Sequence, residues 1–525
     1  MLLRLDVYTI SIFVALAGAL LGCDIASISG VVGTDQYKKF FGNPLGTLQG
    51  GITSAMAAGS IVGALSSSFL GDKFSRKVAI QIGTVFWCIG AAIQSASNGV
   101  AMLIAGRTIA GLCVGLTSAL VPIYQSEIAP RKIRGRIVVF QGLAMTSSMM
   151  IQYFIQYGCS FLNSEAAFRM PWAIQICPAI ILFVSLFWLP HSPRWLASVD
   201  RWDEVLRVLA FLRTANDDTN DPLVIAEYRE IEDQILSERD ADSNSFRELF
   251  SRKIRKRVFL SMAIQMWSQL SGMNVMMYYI VYVLQSAGVA NPRLASSGQY
   301  VINFVMTIVC LMWTDRWGRR PSLLVGAIFM SFWHLLIGGL LKQYGEPNSV
   351  ANEPYTLVIV GHAAVSRTIL ACCYLAVATF ALAWGPISWI YPPEVVPVRV
   401  RAKSVALATA ANWAANFALG FAVPPLLRSI SWRMFILFGS FNIAAFIHVL
   451  FALPETKQRT LEEMDEIFEH GEPLWKTFRA KRETDKLDKL ARDIEAGISV
   501  LVTSDYHNHA QPQVLEKRNW LEQLL

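Results

Sequence analysis

Two charged side chains stand where an apolar environment is expected. Asp24 interrupts the apolar run that ends GCDIASISG, residues 22 to 30, and Arg107 interrupts AMLIAGRTIAGLCVGL, residues 101 to 116. In lipid an ionised side chain costs several kcal/mol or more, so such residues face a cavity or a partner and are functional by default. Arginine cannot release its proton at physiological pH, whereas a carboxylate can take one up. Of the two, Asp24 is the candidate proton carrier.

A second group is uncharged. In QMWSQLSGMNVMMYY, Gln269, Asn274 and Tyr278 fall at roughly helical spacing beside Ser268; Asn303 sits within VINFVMT; Asn412 and Asn416 flank Trp413; and Trp389 closes GPISW. Amides both donate and accept, which suits a ligand rich in hydroxyls. An indole offers a flat apolar face to the C–H surface of such a ligand. Singly, each amide reads equally as glue between helices. Together they make a site for a neutral polar ligand, since the later apolar runs carry no unpaired charge.

The elements that hold these residues are membrane spans. The chain has 525 residues, 54% hydrophobic and 16% charged, with a mean hydropathy of +0.40, which excludes an ordinary soluble protein. Windows of about twenty apolar residues predict twelve helices: 7–30, 48–70, 78–96, 100–124, 138–161, 171–189, 258–285, 297–313, 322–341, 367–391, 404–427 and 434–453. The net charge of +7 lies in short loops (DKFSRK, PRKIRGR, DRWGRR, VRVRAK) on one side, so it reads as a topology signal that puts both termini in the cytoplasm, and not as a nucleic-acid surface. Segments 1–190 and 258–453 form two six-helix bundles. They are joined by a charged helical linker, 191–257, and followed by a tail, 454–525, in which Thr460 and Glu463 form a capping box. The N-terminal apolar run is read as the first span and not as a signal peptide. The eight cysteines lie in or beside apolar runs, which argues against a disulfide framework, and Cys372–Cys373 reads as packing. His334 and His448 read as packing residues.

The two sets of six repeat. SFLGDKFSRK recurs as LMWTDRWGRR, and EIAPRKIRG as EVVPVRVRA, in register. The positive-inside rule explains the basic residues but not the matched acids. Repeats related by an axis along the membrane normal, with substrate held near the midplane, are the architecture of the major facilitator superfamily.

The chain resembles the sugar porters of that superfamily. The motifs that carry the resemblance are GCD in span one, GRTIAGLCVG in span four, VPIYQSEIAPRKIRG, LPHSPRWL, QLSGMNVMMYY, DRWGRR, WGPISWIYPPEVVP and LPETK, and the wording is most similar to fungal high-affinity glucose transporters. The resemblance implies alternating access around a central hexose site. It also implies that Asp24 pairs with Arg107, as in proton-coupled members, and that Gln269, Asn274, Asn303, Asn412 and Trp389 contact sugar. Gly142 stands where a sugar-binding Gln is usual, with Gln141 next to it, and Ser268 replaces another Gln. These departures leave room for a pentose, a disaccharide or another polyol. Gly272 and Tyr279 in span seven and Gly385, Pro386, Pro392 and Pro393 in span ten are the expected gating positions. On the cytoplasmic face, Asp72 with Arg76 and Lys77, Glu127 with Arg134, Asp315 with Arg319 and Arg320, and Glu394 with Arg401 are the expected inner-gate bridges. Ser68, Ser75 and His191 depart from the usual residues there.

The reading is an all-α, multi-pass plasma-membrane transporter that imports a neutral monosaccharide by alternating access with proton symport through Asp24 and Arg107. Its partners are a small sugar, a proton and the bilayer; no cofactor, metal, nucleic acid or enzymatic pattern is implied. A passive facilitator with the same site and a non-transporting sugar sensor are the alternatives.

Overall fold

The computed structural model describes residues 6–130, 133–214, 217–240, 246–251, 254–348, 354–397 and 400–457, with Met464 and Phe468. The side chains of Arg134 and Asp315, and the capping box at Thr460 and Glu463, lie outside the described residues.

The first half contains α1 (Val7–Val32), a short α2 (Asp35–Phe41), α3 (Gly46–Phe74), α4 (Arg76–Ser95), α5 (Val100–Ile128), α6 (Arg134–Cys159), α7 (Ala166–Ile174) and α8 (Ile176–Ser185). The linker folds as α9 (Pro193–Ser198), α10 (Trp202–Arg213) and α11 (Pro222–Asp240). The second half contains α12 (Arg255–Leu270), α13 (Met273–Tyr278), α14 (Ile280–Ser286), α15 (Pro292–Trp317), α16 (Arg319–Tyr344), α17 (Ala363–Leu382), α18 (Trp384–Val395), α19 (Arg401–Ser429) and α20 (Arg433–Ala452), with a two-residue hairpin, Glu346–Pro347 against Leu357–Val358, after α16. Among the described residues ten segments are long and apolar enough to cross a membrane, α7 with α8 and α17 with α18 each counting as one. With α6 and the run α12–α14 they make the twelve crossings expected.

Lipid is as apolar as leucine, so spans associate through close packing of small residues. The spacing Gly59-x3-Gly63 on α3 meets Gly111-x3-Gly115 on α5. A Cβ at Gly59 would fall 1.9 Å from the Thr108 carbonyl oxygen, and one at Gly111 would fall 2.1 Å from that of Met56. The two backbones therefore touch, and α5 holds Arg107 at a fixed depth.

Besides the α7–α8 crossing, spans seven and ten are discontinuous. Span seven, expected as one helix, breaks after Leu270: Gly272 adopts φ +90°, a left-handed conformation costly for any residue with a Cβ. Span ten breaks at Ala383 (φ −122°, ψ −76°), N-terminal to the expected Gly385–Pro386 hinge. Pro386 has no N–H for the Leu382 carbonyl one turn back, and that oxygen instead accepts from the Cys310 Sγ–H at 3.4 Å. Pro392 and Pro393 lie inside α18 without ending it.

The linker packs its own apolar cluster, with Trp195, Leu196, Val205, Leu209 and Val224 buried. Arg213 ties it to the first half: its guanidinium donates to the Ile128 carbonyl at the end of α5 (2.9 Å) while it pairs with Glu227 at 2.7 Å.

Candidate substrate site and buried ion pair

Asp24 on α1 and Arg107 on α5 are fully buried and meet side by side: Arg107 Nη1 donates to Asp24 Oδ1 at 3.2 Å and Nη2 to Oδ2 at 2.9 Å. Nη2 also donates to the Thr53 carbonyl at 3.3 Å. Such a bidentate fork is the strong form of the carboxylate–arginine contact.

A cavity lined by residues of both halves lies between them. Gln141, Ser268, Gln269, Asn274, Asn303, Trp389 and Asn412 all line it, as do Gly142, Gly385, Pro386 and Asn416. Three of the amides form a cluster in which the Gln269 Oε1 oxygen accepts from Asn274 Nδ2 (2.9 Å) and Asn416 Nδ2 (3.1 Å), and Asn416 Nδ2 also reaches Asn274 Oδ1 (3.3 Å). The Asn412 Oδ1 oxygen is buried without a hydrogen-bond partner.

Tyr278, expected among the ligands, does not line the cavity. After the break at Gly272, α13 turns Met273, Asn274 and Met277 to the lumen. Tyr278 is buried behind that wall, beside Asn416 and within electrostatic reach of both Asp24 and Arg107. It stands between the ion pair and the amide cluster.

Residues that the sequence reading passed over also form the site. Met145 and Met149 follow Gln141 at intervals of four on α6, and that spacing was the available signal. Trp413 lines the cavity and joins the halves, its Nε1–H donating to Ser118 Oγ at 3.1 Å.

The halves close tightly on the side away from the basic loops. Tyr279, between Thr53 and α19, donates its hydroxyl to the Gly420 carbonyl at 2.8 Å. Arg293 donates to the Gly33 carbonyl at 2.5 Å, the Tyr153 hydroxyl donates to the Arg293 carbonyl at 2.9 Å, and Tyr153 stacks on Tyr300. A Cβ at Gly50 would fall 2.4 Å from the Phe421 carbonyl oxygen. Gly272 approaches His334 and Phe438 and no ligand: its Cβ would sit 2.7 Å from His334 Nε2.

On the basic-loop side the expected Asp72–Arg76 bridge is present, and other partners differ from those expected. Arg76 joins Asp72 (3.1 Å) to Glu127 (3.4 Å), and Glu127 accepts from Ser192 Oγ at 2.5 Å. Lys77 instead donates to the Leu189 and Phe187 carbonyls at the end of the first half. In the second half Glu394 pairs with Arg319 (2.9 Å), not Arg401, and accepts from Thr456 Oγ1 at 2.7 Å. Glu455 accepts from the backbone N–H groups of Arg319 and Arg320 at 3.0 and 3.1 Å, and Arg320 donates to the Leu450 carbonyl. Arg401 is buried at the start of α19. These bridges join helices within one half; across the halves, Lys403 comes within electrostatic reach of Asp72.

Twelve crossings in two halves around a central cavity define a transporter of the major facilitator superfamily. The chain belongs to the family described as Sugar (and other) transporter, whose profile matches residues 10–468. It is 48% identical over 496 residues to the MFS glucose transporter mfs1 of Aspergillus flavus, covering 92% of this chain and 94% of that one. It is 42% identical over 478 residues to a high-affinity glucose transporter of Kluyveromyces lactis, covering 90% and 87%. The solved structure of the proton:xylose symporter XylE bound to 6-bromo-6-deoxy-D-glucose matches with a TM-score of 0.74 at 25% identity, covering 88% of this chain and 99% of that one.

Proposed function

We propose that the chain imports a neutral hexose across the plasma membrane by alternating access, in symport with a proton carried by Asp24. The observation that carries this reading is the placement of Tyr278 between the Asp24–Arg107 pair and the Gln269–Asn274–Asn416 cluster. Two fungal relatives are named as glucose transporters and the structural neighbour as a proton symporter.

The chemistry follows from the geometry. Protonation of Asp24 removes its negative charge and converts one carboxylate oxygen to an O–H, so the fork loses one arm and Arg107 keeps the remaining carboxyl oxygen and the Thr53 carbonyl. The change is felt by Tyr278 and Tyr279 of span seven, which lie near Arg107. Sugar and proton thereby bias the same element, and each favours the binding of the other. With the basic loops in the cytoplasm, the tightly closed side is the outer one, so this is a state sealed from outside.

Uptake of radiolabelled sugars in cells lacking hexose transport, with and without a protonophore, tests the reading. Glucose uptake that collapses with protonophore is the expected result. Unchanged initial rates would make the chain a facilitator, and no uptake of any sugar at normal surface expression would overturn transport.

A further inference from the structure

The two walls of the cavity are chemically unequal. Five amides, Gln269, Asn274, Asn303, Asn412 and Asn416, come from the second half. The first half contributes one amide, Gln141, and an apolar face of Ala17, Gly18, Leu21, Gly142, Met145 and Met149. Its hydroxyl protons are already used: Thr117 Oγ1 donates to the Cys113 carbonyl, Thr146 Oγ1 to that of Leu143, and Ser118 Oγ to that of Gly115.

Gly142 opens this face further. A Cβ built there meets nothing within 4 Å, so the space in front of it belongs to the cavity. Gly in a helix interior costs about 1 kcal/mol relative to Ala, and here it leaves room. Met145 is flexible and polarizable, so it can repack around different apolar shapes.

From this asymmetry, and resting on the sugar-transport reading above, we infer that the site takes monosaccharides bearing an apolar O-alkyl or O-aryl group, with the sugar on the amide wall and the substituent on the Gly142–Met145 face. A bare hexose leaves hydroxyls facing a wall short of free donors. A second sugar ring, as in a disaccharide, adds more such hydroxyls. An alkyl or aryl group instead buries apolar surface, at about fourfold in affinity for each methylene removed from water.

Calorimetric titration of the full chain in lipid nanodiscs, free of glycoside detergent, tests this with D-glucose and with methyl, butyl and phenyl glucosides in both anomers. Butyl or phenyl glucoside binding at least about tenfold tighter than the matching methyl glucoside is the expected result. Gly142→Gln, which fills the space with an amide, brings that ratio towards one. Glucose binding with no gain for the larger glucosides would overturn this inference and leave the transport reading standing. Absence of binding by glucose and by every glucoside would overturn both. An unchanged ratio in Gly142→Gln, with thermal stability equal to the parent, would overturn the assignment to this wall.

Discussion

Asp24 on α1 and Arg107 on α5, 83 residues apart in the chain, face each other through two hydrogen bonds with neither side chain exposed to solvent. Removing one member of a buried pair leaves the other charge uncompensated, at a cost of about 3–5 kcal/mol. Asp24→Asn and Arg107→Gln are each expected to lower the melting temperature of the purified protein, and the double change to recover most of the loss. If the double variant melts as low as the sum of the singles predicts, the pair is not energetically coupled.

Gln269 is the acceptor shared by Asn274 and Asn416. On the proposed reading, Gln269→Ala removes a sugar contact and lets both amides reorient, a loss of about 1.5–3 kcal/mol. The apparent KM for sugar uptake is expected to rise by about ten- to a hundredfold, with surface expression unchanged. A KM within twofold of the parent would take Gln269 out of the site.

His191 lies outside the spans, hydrogen-bonded through Nδ1 to Ser75 Oγ at 3.1 Å and stacked on Trp195. Burial, together with the Lys77 and Arg201 charges, holds its imidazole below the usual value, while Glu204 opposes the shift. The unfolded chain then binds a proton more readily than the folded one. The stability this contributes is fully present above the ordinary value of about 6.5 and is lost as pH falls through the folded value. The melting temperature of the parent is therefore expected to drop more between pH 7.5 and pH 5.5 than that of His191→Gln. Equal drops would contradict the assignment.

Much of this is legible in the sequence alone. Lone charges in apolar runs exposed Asp24 and Arg107, and the matched acids of the repeated loops revealed the two halves. The same contrast failed elsewhere. Helical spacing carried straight through Gly272 places Tyr278 in the site, whereas a left-handed glycine redirects everything after it. Met145 and Met149 were missed because in a membrane span the lumen-facing and lipid-facing methionines look alike. Loop sequences show which charges are available but not their direction: Glu394 reads as a partner of Arg401, where the fold brings Arg319, and nothing in the loop sequence points Arg76 at Glu127.

The central claim is that Asp24 couples a proton to sugar movement. Sugar accumulation in proteoliposomes under an imposed inward proton gradient tests it most directly, comparing the parent with Asp24→Asn. The account predicts that the parent concentrates glucose above the external level, while Asp24→Asn still exchanges labelled for unlabelled sugar but never exceeds equilibrium. A parent that only equilibrates, or an Asp24→Asn variant that accumulates sugar equally well, would contradict it.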